Sequence, residues 1–461
     1  MSKNPPTFNK PKKPNYLSTT NACKLCKPLG ACMAFKGIEG AVPYLHGTQG
    51  CATYMRRYII SHYNEPIDIA SSSLSEKHAV YGGGPNLKLG LNNVAAKYRP
   101  ELIGIATTCL TETIGDDVAM YLREYAEDTK GSVGLPTLVN VSTPSYGGTH
   151  IEGFHAAVRE TVAQVSEGGP RNETVNILPG FVSSADYRIL HEILADFGLS
   201  YTLLPDLSET MDGPAMLEYE KIQAGGTPLA KIRAMGRSKA TIEFGPTLGA
   251  MKTGGDVLND KFSVPQYRIG MPIGVRECDV FFNLLEELSG RPRPEKYAKQ
   301  RGRLVDAYID GHKYISGKRA VVYGEEDLVV GLCSFLTEIG VHPVLCATGG
   351  VSGRLKEAIA KVTGDTLAEQ PQVFENVDFY EINQMAEQMD IDLVVGHSKG
   401  FPLAKKLNIP LIRVGFPIHD RVGGQRILHL GYAGAQHLFD AVTNAVIEKK
   451  QNDSPVGYFY M

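Results

Sequence analysis

Three cysteines in the early part of the chain, Cys26 in CKPLGA, Cys51 in HGTQGC and Cys109 in ATTCLTETIGDD, stand beside glycine or small polar residues. Thiolate sulfur suits iron in iron–sulfur clusters, and small neighbours let the backbone approach a bulky inorganic group. Cys109 follows the apolar run Leu102–Thr108 directly. That run reads as a strand, which puts Cys109 at a carboxyl edge where open α/β sheets hold ligands. On spacing alone, the first reading of the three is buried small hydrophobes, as free cysteine often is; cluster ligation is the alternative their chemistry offers. Cys23 and Cys26 form a CxxC, but the chain holds no second CxxC to complete a zinc ribbon. Cys278, Cys333 and Cys346 lie in strongly apolar patterns and read as core.

Other side chains near these cysteines have two readings each. His46, five residues before Cys51, is either a hydrogen-bonding neighbour of a ligand or a turn residue before Gly47. Arg56, Arg57 and His62 share an expected helix and read first as a solvated face, second as charges that steer a cluster or a partner. Glu112, Asp116 and Asp117 invite an acid/base role, yet near a helix start they more simply satisfy free N–H groups. The glycines of Tyr81–Gly84 lack both GxGxxG and GxxxxGK[ST], so nucleotide binding by this chain is not expected. His397 and Lys399 in GHSKG read first as a strand-end turn.

These residues need a scaffold, and the patterning supplies one. Apolar, β-branched runs recur at Leu102, Thr137, Val175, Ala240, Ala320, Pro343, Leu393 and Pro410, each ending in small or turn-forming residues. Helix-spaced segments lie between them, such as YRILHEILADFG from Tyr187 and EDLVVGLCSFLTEIG from Glu326. The alternation predicts βαβ units and parallel sheets. At about 100–200 residues per domain, 461 residues suggest three domains. The polar, Gly/Pro-rich stretch Ser166–Asn172 and the end of the helical pattern near Gly317 divide the chain into 1–170, 171–316 and 317–461. A further break falls at Gly290–Pro294, and the pattern after Gly434 predicts a terminal helix packed on the body.

Composition narrows the class. With 43% hydrophobic and 21% charged residues and a net charge of −3, the chain is neither disordered nor strongly nucleic-acid-seeking. No apolar run approaches the roughly 18 residues of a membrane span. The amino terminus, MSKNPPTFNKPKKPNYLSTT, has no apolar core or cleavage site of a secretory signal, so a soluble, cytoplasmic protein is expected. Eight cysteines are too few for a disulfide scaffold of this size.

The local sequences around the three cysteines resemble the β-type subunits of the nitrogenase component 1 family. NACKLCKPLGACMAFKGIEGAVPYLHGTQGCATYMRRYIISHYNEP, TTCLTETIGDDV and TPSYGGTHIEGF carry the likeness. It continues through LPDLSETMDG, IGMPIGVRECDVF, VVGHSKG and IRVGFPIHDRVGGQRILHLGYAG, from Asn21 to about Glu448. The resemblance implies three Rossmann-like α/β domains and an α2β2 tetramer formed with an α-type chain. It implies an iron–sulfur cluster at the αβ boundary, of the 8Fe–7S P-cluster type, with 4Fe–4S the alternative. Cys26, Cys51 and Cys109 match the family's thiolate ligands, and Ser145 matches a serine that joins the oxidised eight-iron cluster. The family's electrons come from an ATP-dependent Fe-protein reductase and pass to an iron–sulfur metallocofactor in the α-type chain; no nucleic acid or membrane partner is implied. The substrate would be dinitrogen, or a nitrogenase-like substrate such as a methylthio-alkane. The chain also resembles the NifN scaffold of cofactor assembly at LPDLSETMDG and AGGTPLA, and retention of all three thiols favours the redox relay.

Overall fold

Runs such as Leu102–Thr107 are buried along their whole length, because helices returning each parallel strand to its start cover both faces of the sheet. The protein is described by a computed structural model covering residues 21–456; the lysine- and proline-bearing segment before Asn21 lies outside the described residues. The first sheet holds β1 (Ala41–His46), β2 (Ala70–Ser71), β3 (Leu102–Thr107) and β4 (Thr137–Val141) in the order β2-β1-β3-β4. The second holds β5 (Val175–Leu178), β6 (Tyr201–Leu203), β7 (Ala240–Phe244) and β8 (Gln266–Ile269) in the order β6-β5-β7-β8. In the third, β9 (Arg319–Tyr323), β10 (His342–Ala347), β11 (Gln372–Phe374), β12 (Leu393–Gly396) and β13 (Leu411–Arg413) run β11-β10-β9-β12-β13. Every strand pair is parallel.

Each sheet therefore reverses its winding direction once, between β1 and β3, between β5 and β7, and between β9 and β12. At such a switch point the loops leaving neighbouring strands diverge to opposite faces and leave a crevice at the carboxyl edge. The eight strands expected from apolar runs are present. The central strand β1 is an addition: it contains Pro43, which ordinarily argues against a central strand. It is tolerated because β2 pairs only from Tyr44 onward, so no ladder partner is lost at residue 43.

One apolar core joins the layers, from Leu29 and Phe35 through Phe281 and Leu332 to Phe439 and Val442. The terminal helix Gly431–Asp453 packs on the helix Glu295–Ile315 as its apolar spacing requires. Among the described residues no helix is long and apolar enough to cross a membrane.

The helix Lys27–Lys36 crosses the helix His150–Val165 at unusually close range, and two glycines make this possible. A Cβ at Gly30 would lie 1.6 Å from the carbonyl oxygen of His150, and one at Gly153 would lie 1.8 Å from that of Lys27. Only hydrogen at both positions lets the backbones meet.

Three histidines are buried neutral in this framework. Burial lowers His62 and His155 to about 4 and His397 to about 3, against an ordinary 6.5. His62 accepts the Ile418 N–H at 2.9 Å, which ties the first sheet's helix Gln49–Tyr63 to the segment after β13. Between pH 6.5 and 4 the unfolded chain binds more protons than the folded one, so stability rises with pH across that window and is lost on acidification. At about 1.4 kcal/mol per unit, His62 alone contributes on the order of 3 kcal/mol of this loss. Thermal melts from pH 7 to pH 4 should show the decline, and His62→Gln should lessen it; a stability profile level down to pH 4 would contradict the assignment.

Candidate functional site

The three cysteines singled out by their surroundings lie at one end of the first sheet. β1 ends at His46 and, after Gly47 and Thr48, enters the helix Gln49–Tyr63, with Cys51 in its first turn. β3 ends at Thr107, and Cys109 is the first residue of the helix Cys109–Ile114. β1 and β3 are the two strands that flank the first sheet's switch point. Cys26 is the N-cap of the helix Lys27–Lys36 and pairs by a backbone bridge with Thr149. That bridge fixes it beside the loop leaving β4. Ser145 begins the single 3-10 turn Ser145–Gly147 in the same loop.

Each thiol thus sits in or next to the first turn of a helix. Local hydrogen bonds hold them. The Ser145 N–H donates to Cys109 Sγ at 3.2 Å, and the Thr48 hydroxyl donates to Cys51 Sγ at 3.6 Å. Cys26 caps no N–H with its side chain, so its sulfur remains available.

Exposure sorts the eight cysteines. Cys26 is exposed, and Cys51 and Cys109 are partly so, while Cys23, Cys32, Cys278, Cys333 and Cys346 are all buried. Burial pushes Cys23 up to about 12 and raises Cys32, Cys278 and Cys333 as well, which leaves these thiols protonated and inert. The CxxC is accordingly split: Cys23 packs 3.9 Å from His397 Nε2, away from Cys26's open face. Cys333 and Cys346 touch one another in the core, as their apolar contexts predict.

The surrounding residues divide the same way. His46 is fully buried at the end of β1, bonded through Nδ1 to Ser72 and through Nε2 to Asp116, each at 3.0 Å. Burial, against the pull of Asp116, keeps its pKa below the ordinary value. Asp116 also accepts the Gly83 N–H, so the glycines after Tyr81 wrap a carboxylate and leave no room for a phosphate. A Cβ at Gly83 would meet Asp116 at 2.6 Å. Asp117 caps the helix Val118–Asp128, and Glu112 accepts from the Ser142 and Thr107 hydroxyls, which fastens the Cys109 helix to the loop after β4. These carboxylates are structural.

Arg56 bonds the Ile67 carbonyl at 2.8 Å and Arg57 is exposed, whereas His62 faces the core instead of sharing their solvated face. His397 is buried, and the Lys399 ammonium donates to the Ala22 carbonyl at 2.7 Å. The GHSKG turn thereby anchors the segment that leads into Cys26.

Two aromatic residues flank the open thiols. Tyr54 and Tyr146, 53% and 71% exposed, stand three residues after Cys51 and one after Ser145. Tyr54 bonds Tyr58 at 3.0 Å, and that bond, with burial and the nearby Cys26, raises Tyr58 to about 12. Exposed tyrosines around a polar centre are typical of protein interfaces.

A cavity of about 220 Å³ escaped the sequence reading. It lies where the loops after β4, β7, β9 and β10 converge and is lined by His150, Glu152, Thr247, Glu325, Glu326 and Ser352, among others. Glu325 pairs with His150 at 3.3 Å, and burial raises Glu326 to about 7. The only advance sign was the acidic trio Glu325–Asp327 directly after the strand AVVYG.

Among the described residues no three His, Cys, Asp or Glu side chains converge closely enough to hold a single metal ion. The donor set offers three soft thiols that are not buried, with Ser145 beside Cys109, the kind of set that could hold one side of a polynuclear group.

A family model described as nitrogenase component 1 type oxidoreductase matches residues 26–447. The chain belongs to the nitrogenase component 1 family. Within that family it is similar to the nitrogenase molybdenum-iron protein beta chain of Clostridium pasteurianum, 34% identical over 94% of each chain. It is also 33% identical to the Azotobacter vinelandii beta chain, over 95% of this chain and 86% of that one. A solved structure titled nitrogenase Cp1 at pH 6.5 superposes with a TM-score of 0.94 at 32% identity, covering 98% of this chain and 99% of the other. The protein is thus a β-type subunit of a component 1 oxidoreductase with the three-sheet parallel α/β fold of this family.

Proposed function

We propose that Cys26, Cys51 and Cys109 supply this chain's share of an iron–sulfur cluster held jointly with an α-type subunit, with Ser145 as a conditional fourth ligand. The observation that carries this reading is the sorting of the eight cysteines: these three open at one carboxyl edge, and the other five lie buried. When bound, such a cluster supplies one-electron transfer at a potential set by burial and by hydrogen bonds to its sulfurs. The chain's own groups prepare the site. The Ser145 N–H and the Thr48 hydroxyl brace two of the sulfurs, and Tyr54 and Tyr146 offer aromatic surface to a partner chain.

In this reading the subunit is an electron relay. An ATP-dependent Fe-protein reductase docks over the αβ boundary, and electrons cross the shared centre, of the 8Fe–7S type, to a metallocofactor in the α-type chain. Two αβ pairs form an α2β2 tetramer in the cytoplasm, and the present chain comprises three domains spanning about 1–170, 171–316 and 317–461. The substrate is dinitrogen or a nitrogenase-like one such as a methylthio-alkane, reduced in the partner.

Anaerobic co-purification with the α-type chain, followed by addition of reductase, ATP and dithionite, tests the proposal. Brown, iron-containing protein that sustains reduction of protons, acetylene or small thioethers is the expected result. Transfer of an iron cofactor to an apo-enzyme without turnover identifies a NifN-like scaffold instead, and colourless, iron-free protein overturns both.

A further inference from the structure

The residue immediately after Cys26 takes no part in the ligand set, yet its charge is built into the site. Lys27 opens the helix Lys27–Lys36, and its Nζ donates to the Gly147 carbonyl oxygen at 3.3 Å. Gly147 closes the turn that begins with Ser145, whose N–H bonds Cys109 Sγ. A single side chain therefore links the helix that bears one thiol to the turn that braces another. The Lys27 side chain is partly exposed, and the charged groups that act on its ammonium are Glu152 and Glu112 on one side of the balance and Arg159 on the other. Both carboxylates have other donors: Glu152 accepts the Thr149 N–H, and Glu112 accepts the Ser142 hydroxyl.

We infer that Lys27 is a positioning residue that raises the reduction potential of the centre held by Cys26, Cys51 and Cys109; this rests on the cluster reading above. Adding an electron makes an iron–sulfur centre more negative, and a fixed positive charge close by stabilises that reduced form. Removing the ammonium deletes that favourable charge, while Glu152 and Glu112 stay in place, so the potential falls.

The test uses the assembled complex of this chain with its α-type partner, purified anaerobically as the parent, Lys27→Met and Lys27→Arg. Iron content and an EPR-monitored redox titration are read on each. Lys27→Met should keep its iron and show at least a threefold fall in the reduced-to-oxidised ratio at the parent's midpoint. At 59 mV per tenfold change for one electron, that is a shift of about 30 mV to lower potential. Lys27→Arg keeps the charge and should titrate with the parent. An unchanged midpoint in Lys27→Met, an equal shift in both variants, or iron lost from Lys27→Met but kept in Lys27→Arg would each overturn the electrostatic role. A parent without iron would instead sink the cluster reading on which it rests.

Discussion

Cys51→Ala should remove most of the cluster iron and abolish reductase-driven turnover while leaving the fold standing. The side chain is only partly buried and packs at the margin of the core, so truncating it creates no large cavity. In the proposed reading its removal deletes one of three thiolates on this side of a shared centre, and the five thiols outside that set are buried. The nearest candidate by sequence, Cys32, is fully buried within its helix and held protonated. Iron analysis and visible absorption on anaerobic material report the loss directly, while circular dichroism reports the fold. Cys346→Ala is the matched control, since a core thiol should affect stability and leave iron untouched. A Cys51→Ala protein with full iron and full turnover would remove this residue from the ligand set.

Gly30→Ala and Gly153→Ala should each destabilise the protein and strip iron from it, although neither residue touches a ligand. In an ordinary helix, alanine is more favourable than glycine by roughly 0.5–1 kcal/mol. Here the added methyl would meet a backbone oxygen at 1.6 or 1.8 Å, and a carbonyl oxygen cannot rotate away as a side chain can. The helices must separate, at a cost of about 3 kcal/mol by the measure of overpacked cores. That separation moves Cys26, the N-cap of one helix, away from Thr149 at the start of the other. Gly302→Ala provides the contrast: it lies in the helix Glu295–Ile315 with nothing within 4 Å of its added carbon, and should be neutral or slightly stabilising. Thermal midpoints and iron content on the three variants check both halves of the argument; equal behaviour of Gly30→Ala and Gly302→Ala would refute it.

Much of the scaffold is legible in the sequence because buried parallel strands advertise themselves as continuous apolar runs. Leu102–Thr107, Val175–Leu178 and Leu393–Gly396 all do so. β1 is harder to see, since Pro43 contradicts it locally and only the short reach of β2 explains why it is harmless. β6 and β11, each three residues long, are too brief for any period to register.

The proposed ligand cysteines are legible only through their local words. Spacing alone favours buried thiols for Cys26, Cys51 and Cys109, and none of the three is buried. What separates Cys51 and Cys109 is position after β1 and β3, at a switch point that exists only once strand order is known. Side chains whose partners are distant in sequence were the least readable. His62 meets Ile418, and His46 meets Asp116, pairings that no local pattern encodes. The convergence of His150 with Glu325 in the cavity between the loops after β4, β7, β9 and β10 is of the same kind.

The central claim is that three sulfurs of this chain hold one side of an inorganic centre at a subunit boundary. An anaerobic crystal structure of the chain with its α-type partner, recorded at the iron absorption edge, tests it most directly. Anomalous iron density bonded to Cys26, Cys51 and Cys109 at the seam between the two chains is the predicted result. Iron-free thiols at that seam, or iron bound elsewhere in the complex with these three sulfurs unligated, would contradict it.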